Sequence, residues 1–250
     1  MTGPGGQPVT IDRGGRPFRH FPVAVSAGAM ALAWARQEAA PHGATVLVDH
    51  EINALGRIGA PWQTTGSASL TCAVVLRPSL DVEDADVPWL LGGLGAAAGI
   101  EACTGSSAGL SPATWWPDKV VDRASDRTVA AVLCEAQLAP GRVRAAVVTI
   151  RIDMETLGID PERRDELLSS VLEALNDACD SVVEDPASAA SAYESRCVLM
   201  GRRVKVRLRP HGETRGEVSG VDVHGRLQLR SSTGLVERIT IDMLRDLEVV

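Results

Sequence analysis

Asp49-His-Glu-Ile-Asn-Ala-Leu-Gly-Arg-Ile-Gly-Ala-Pro-Trp62 lies between two apolar runs. Thr45 to Val48 reads as a short strand entering it, and Ser69 to Arg77 as a second strand leaving it. The connecting loop carries Gly56, Gly59 and Gly66, with Arg57 and Trp62. Glycine tolerates φ > 0 and lets a backbone approach a ligand closely. A guanidinium beside it can hold a carboxylate or phosphate bidentately. The stretch is read as a ligand loop between two strands.

Working outward, residues 1–20 are polar and glycine-rich without periodicity, which predicts a flexible leader. Phe21 to Val25 reads as a short strand. Ser26 is placed to cap a helix running to about Ala40, with Met30, Ala31, Trp34 and Ala35 on one face. Beyond the loop, Pro88 to Cys103 is an Ala/Gly-rich stretch that predicts a buried helix, its glycines permitting close packing. Val129 to Leu138 and Val143 to Asp153 read as strands joined by the turn Ala139-Pro-Gly-Arg142. Asp160-Pro161 and Asp185-Pro186 each start a helix, the first with an apolar face from Leu167 to Val182. After about residue 200 the pattern becomes five short alternating strands in some fifty residues, which predicts a small closed barrel.

Composition sets bounds. The 250 residues are 45% hydrophobic and 23% charged, ordinary for a globular chain with ample core. Aromatics are only 3%, so Ala, Val and Leu must fill most of it. Cys72, Cys103, Cys134, Cys179 and Cys197 are scattered, odd in number and set in apolar runs, which predicts buried free thiols and a cytoplasmic protein. No apolar run reaches the length of a membrane span. Residues 196–250 carry a net charge of +4 and residues 1–195 a net of −11. That small excess is no nucleic-acid footprint, so neither nucleic acid nor membrane is expected as a partner. His20, His42, His50, His211 and His224 do not cluster, and no metal site is expected.

Taken in order, these pieces resemble the biotin–protein ligase family over roughly residues 21–250, without the DNA-binding N-terminal domain that some members carry. Gly56-Arg57 and Gly59 with Trp62 are similar to the family's Gly-Arg-Gly-Arg-x-Gly-x-x-Trp loop. Trp116-Pro117 is similar to its Lys-Trp-Pro-Asn-Asp motif, and Arg127 to Glu135 to its Arg-Lys-Leu-Ala-Gly-Ile-Leu-x-Glu strand. Ile150 to Met154 is similar to Gly-Ile-Asn-x, and Met200 to Val206 with Val221 to Leu229 to the barrel strands. The resemblance implies an α+β fold: a class II synthetase-like catalytic domain over 21–198, a mixed sheet flanked by helices, followed by an SH3-like barrel over 199–250. It implies ATP-dependent attachment of biotin or a related acid to a lysine of a biotin carboxyl carrier or other acyl-carrier domain, through an acyl-adenylate with Mg²⁺. A homodimer is an open alternative to a monomer.

The implied catalytic cations are Arg57 and Lys119. The implied ligand contacts are Ser26, Glu51, Gly56, Gly59, Trp62, Ser69, Trp116, Asp118, Thr128, Ala130 and Asp153. The sequence departs from the family where its chemistry is expected. The strand lysine falls at Thr128, and two loop arginines fall at Leu55 and Ile58. Glutamine falls at Glu51, the motif glycine at Arg151, and the lysine before Trp-Pro at Trp115. Losing one preorganised charge contact to a developing oxyanion costs about 3–4 kcal/mol. Lys119 and Arg151 either restore charge from new directions or are solvated surface cations. Two readings stay open: a ligase with an altered, impaired site, and a non-catalytic relative that binds a small carboxylic acid or a partner protein. A lipoate or octanoyl transfer relative ranks below both.

Overall fold

The computed structural model describes residues 9–13, 16–62, 68–105, 109–185 and 187–250. Residues 1–8 of the expected leader, Gly66 of the loop and Pro186 lie outside the described residues. Part of the expected leader is sheet: β1 (Val9–Arg13) pairs antiparallel with β2 (Arg16–Ala24). The ordering comes from tertiary pairing that local pattern does not encode. Phe18 of β2 is buried, and Phe18 to Ala24 run parallel to β3 (Thr45–Glu51).

The large sheet has eight strands in the order β1-β2-β3-β4-β8-β7-β6-β5. The other strands are β4 (Ser69–Leu76), β5 (Pro112–Trp115), β6 (Lys119–Asp122), β7 (Thr128–Ala139) and β8 (Arg142–Asp153). Among the described strands only β2 and β3 pair in parallel, and α1 (Ala27–Gln37) supplies the crossover that a parallel pair requires. Both faces of the middle strands are covered, so β4 is a nearly continuous apolar run. On one face Leu70, Cys72, Val74, Val148, Ile150 and Ile152 pack with α2 (Val87–Thr104) and α3 (Arg164–Glu184) in the main core. On the other, Val46, Val48, Ala73, Val75 and Val147 pack against Ala31, Trp34 and Ala35 of α1.

The glycines of α2 let it press on two neighbours. A Cβ on Gly92 would lie 2.6 Å from Val132 of the sheet, and one on Gly99 would lie 2.5 Å from the Cα of Val171 in α3. Asp160 accepts from the Glu162 amide at 2.9 Å ahead of α3, the cap its sequence predicts. All five cysteines are free and buried, and burial pushes the Cys72 thiol up to about 12.

After α4 (Ser188–Arg196) comes a five-stranded antiparallel sheet in the order β12-β11-β10-β9-β13. Its strands are β9 (Arg203–Leu208), β10 (Glu213–Val221), β11 (Leu227–Arg230), β12 (Val236–Ile239) and β13 (Leu244–Val249). β12 and β13 are its two ends, and this small antiparallel sheet fits the C-terminal unit expected from the sequence.

This sheet docks on the first unit through polar groups. Trp116 Nε1 donates to the Gly225 carbonyl at 3.0 Å, Asp84 meets His224 at 2.7 Å, and Asp86 accepts from the Ile241 amide at 3.0 Å. Burial pushes the Asp86 carboxyl up to about 6 from an ordinary value of 3.8. A raised folded-state value means that the folded chain holds the proton more tightly. Its contribution is then fully present below pH 3.8 and is lost as pH rises through about 6. Asp86→Asn is therefore expected to gain stability relative to wild type between pH 4 and pH 7, read by thermal melts. A difference between the two that stays flat across that range would contradict this account.

Candidate functional site

The register of the large sheet places one row of side chains across the α1 face. Lys119 of β6 lies opposite Ala131 of β7, Ala131 opposite Arg151 of β8, Arg151 opposite Thr71 of β4, and Thr71 opposite Val48 of β3. Thr149 lies two residues before Arg151 on the same face, because side chains alternate along a strand. α1 covers the apolar part of this face, and its N-terminus ends at the polar part. Ser26 caps the helix by accepting from the Ala29 amide at 3.3 Å.

At the centre is an ion pair that is almost wholly buried, with Arg151 1% and Glu51 3% exposed in their side chains. Arg151 Nε donates to Glu51 Oε2 at 2.6 Å and Nη2 donates to Oε1 at 3.0 Å. The Ala27 amide, at the N-terminus of α1, donates to Oε1 at 2.8 Å. Glu51 thus sits where a helix dipole and a guanidinium both favour an anion. The pair consumes each other's charge. Arg151 is therefore neither a restored site cation nor a solvated surface one. Two polar atoms here have no partner among the described residues: Arg151 Nη1 and Thr149 Oγ1. The buried indole Nε1 of Trp62, on the glycine loop, is likewise without one.

Arg57 is also engaged. Its Nε donates to Asp118 Oδ2 at 3.1 Å, and its other nitrogens donate to the carbonyls of Leu244 at 2.5 Å and Arg245 at 3.4 Å. It latches the glycine loop to the C-terminal sheet. Gly59 takes φ +73°, and Ile58, φ +55°, is half exposed at the position of a lost arginine. Gly56 donates its amide to Ala60 O at 2.7 Å. Arg57 and Asp118 line a cavity of about 320 Å³ with Trp115, Trp116 and Lys119. A larger cavity, about 400 Å³, lies by Arg16, Phe18 and Leu172 and holds none of the expected site residues.

The remaining expected contacts divide. Ser69 and Asp153 pair across β4 and β8, and Asp153 accepts from the amide and hydroxyl of Thr156. Thr128 begins β7 opposite Val121 and brings no charge. Ala130 is corrected: it is buried in the main core beside Val120 and Ile152, on the sheet face away from Arg151, so it cannot meet a ligand there. Trp116 lines the cavity beside Arg57, and with 0% exposure and its N–H committed to Gly225 it also joins the two units. Asp118, the expected Mg²⁺ contact, is held by Arg57. No group of three or more His, Cys, Asp or Glu side chains that could hold a metal ion converges among the described residues.

Sequence reading missed the Glu51–Arg151 pair and the part played by Leu244 and Arg245. The first had a signal: two departures from the motifs, a hundred residues apart, each add a charge, and the charges are opposite. The second had none, because the contacts are to backbone carbonyls.

Residues 199–241 match the family described as Biotin protein ligase C terminal domain. A comparison with curated proteins finds no match. Among solved structures, a biotin protein ligase from Aquifex aeolicus in complex with biotin and ATP superposes with a TM-score of 0.72 at 19% identity, covering 93% of this chain and 99% of that one. A biotin protein ligase-like protein of unknown function from a Silicibacter species gives 0.69 at 14% identity, covering 92% and 96%. The biotin protein ligase of Leishmania major in complex with biotin gives 0.58 at 16% identity, covering 89% and 97%. The chain has the biotin protein ligase fold. Among the described residues no helix is long and apolar enough to cross a membrane.

Proposed function

We propose that this chain is a biotin-ligase-like protein that holds a small carboxylic acid on the α1 face of its large sheet and does not activate it as an adenylate. The observation that carries this is the state of the site's arginines. Arg151 is neutralised by Glu51, and Arg57 by Asp118 and two carbonyls. Adenylate formation needs positive charge aimed at carboxylate and phosphate oxygens as negative charge develops. Arginines already saturated by internal acceptors do not supply it. Binding asks for less. Arg151 Nη1 and Thr149 Oγ1 are buried polar groups without partners among the described residues, and a ligand oxygen would relieve their cost of roughly 1–3 kcal/mol each.

Calorimetry with biotin, lipoate, ATP and AMP tests the reading. An acid is expected to bind, and Thr149→Val is expected to weaken it by about 1 kcal/mol, roughly fivefold. No heat with either acid would refute binding. Labelling of a carrier domain would refute the absence of activation.

The ligase reading has one observation in its favour. Lys119 is exposed, makes no ion pair among the described residues, and stands in the row that contains Arg151. If it were a relocated catalytic cation, ATP, biotin and a carrier domain would give product that is lost in Lys119→Ala.

A further inference from the structure

Residues 1–195 carry a net charge of −11, yet one concavity among them is lined by cations. It measures about 580 Å³ and opens between the loop after β4 (Arg77 to Asp81) and the start of β8 (Arg142 to Arg144). Its lining holds three guanidiniums, Arg77, Arg142 and Arg144, against one carboxylate, Asp81. Arg77 gives Nε to the Ala40 carbonyl at 2.8 Å and Nη2 to the Ala35 carbonyl at 3.3 Å. Those acceptors are neutral, so its charge is kept. Arg142 and Arg144 are exposed and make no ion pair or side-chain hydrogen bond among the described residues. A bulge brings Arg144 here. Gln137 pairs with Ala145 and Leu138 with Val143, which leaves Arg144 as the extra residue of β8. Regular alternation would set it on the face of Ala146 and Val148, inside the main core. Val143 enters that core instead, and Arg144 lines the cavity. The facing wall is tied to the same strand. The Val143 amide donates to the Leu80 carbonyl at 2.9 Å and the Val82 amide to the Gly141 carbonyl at 3.3 Å, so the space is formed in advance.

We infer that this concavity is a binding site for a small polyanion, a molecule with two or more carboxylate or phosphate groups, with Arg142 and Arg144 as its charged contacts and Arg77 behind them. A guanidinium presents a planar fork of donors that matches the oxygens of either group. A single carboxylate can satisfy one such fork. Two free forks on one strand, with a third across the space, suit a ligand that carries several anionic groups on a short frame. The positive charge is local and set in an acidic surrounding, so it favours a small anion that fits the concavity over a large one that would also meet the surrounding negative surface. Arg142 and Arg144 stand seven to nine residues from Arg151 on β8, roughly 20–30 Å at about 3.3 Å per residue. The site is therefore separate from the α1 face, does not rest on the acid-binding reading, and would persist if no acid bound there.

Calorimetry of the full chain with citrate, inorganic pyrophosphate and acetate, at fixed low salt, tests it. Wild type is expected to bind citrate or pyrophosphate more tightly than acetate. Arg142→Gln and Arg144→Gln, which keep a polar side chain and remove the charge, are each expected to weaken that binding by about fivefold. Arg215→Gln, at an exposed arginine of β10, is expected to leave it unchanged. Citrate tighter than pyrophosphate identifies a polycarboxylate, and the reverse order identifies a phosphate chain; either supports the site when the two variants weaken it. The proposal is overturned if neither polyanion binds wild type, if acetate binds as tightly as they do, if both variants bind as wild type does, or if Arg215→Gln weakens binding as much as they do. Melting curves of the variants, all at exposed positions, check that they remain folded.

Discussion

Arg151→Met is expected to destabilise the protein by about 3–5 kcal/mol, because removing one partner of a buried pair leaves the other charge uncompensated. Among the described residues Glu51 would keep only the Ala27 amide as a donor while remaining almost wholly buried. For a chain of this size the loss corresponds to a fall of roughly 6–20 °C in Tm, at about 2–4 °C per kcal/mol. Glu51→Gln with Arg151→Met replaces both charges at similar volume, and that double variant is expected to melt near wild type or above it. The contrast matters more than either number. A double variant as unstable as the single would show that shape, not charge pairing, is what Arg151 contributes.

The second large effect lies on the opposite face. A Cβ added to Gly99 would stand 2.5 Å from the Cα and 2.7 Å from the nitrogen of Val171. One added to Gly95 would stand 2.8 Å from the Cβ and 2.9 Å from the Cα of Leu175. These are backbone or near-backbone atoms, one helical turn apart on α3, and no rotamer change removes the clash. Alanine gains about 1 kcal/mol of helix propensity over glycine at each position. Overpacking costs roughly 1–3 kcal/mol per site, and more where backbone must separate. The clash is expected to win. Gly95→Ala with Gly99→Ala should lower the denaturation midpoint further than either alone. A midpoint at or above wild type would mean that α2 and α3 have slack the structure does not show.

Much of this architecture can be read from the chain. The Asp160-Pro161 cap, the apolar face of α3, the β7–β8 hairpin and the buried glycine-rich helix follow from local rules about caps, periodicity and turns. β1 and the first half of β2 do not, because such short strands are specified by their partners more than by their own pattern. The five short strands of the C-terminal sheet were legible from their alternation and turns, although the order in which they pair was not. The site divides along the same line. Motif order located Arg57, Glu51, Lys119 and Asp118 in the fold. It could not show that Glu51 and Asp118 would take the arginines for themselves, since each pairing joins residues far apart in sequence. Ala130 went wrong because a bulge between Val120 and Val121 changes how β6 and β7 correspond, so motif alignment alone does not fix which residues face the site. The part of Trp116 in joining the two units was not legible, because the turn it meets lies more than a hundred residues later.

The loop that opened the reading keeps its glycines and Trp62, while Arg57, the one arginine left in it, serves as a structural latch. In the proposed reading the charge of the site is turned inward, onto Glu51 and Asp118. The most direct test is to incubate the full chain with ATP, Mg²⁺, labelled biotin and a biotin carrier domain, and to measure biotinyl-adenylate and labelled carrier over time. The account predicts neither above the level without protein. Accumulation of adenylate or labelled carrier at a rate proportional to protein concentration would contradict it, and loss of that signal in Lys119→Ala would assign the chemistry to the relocated cation.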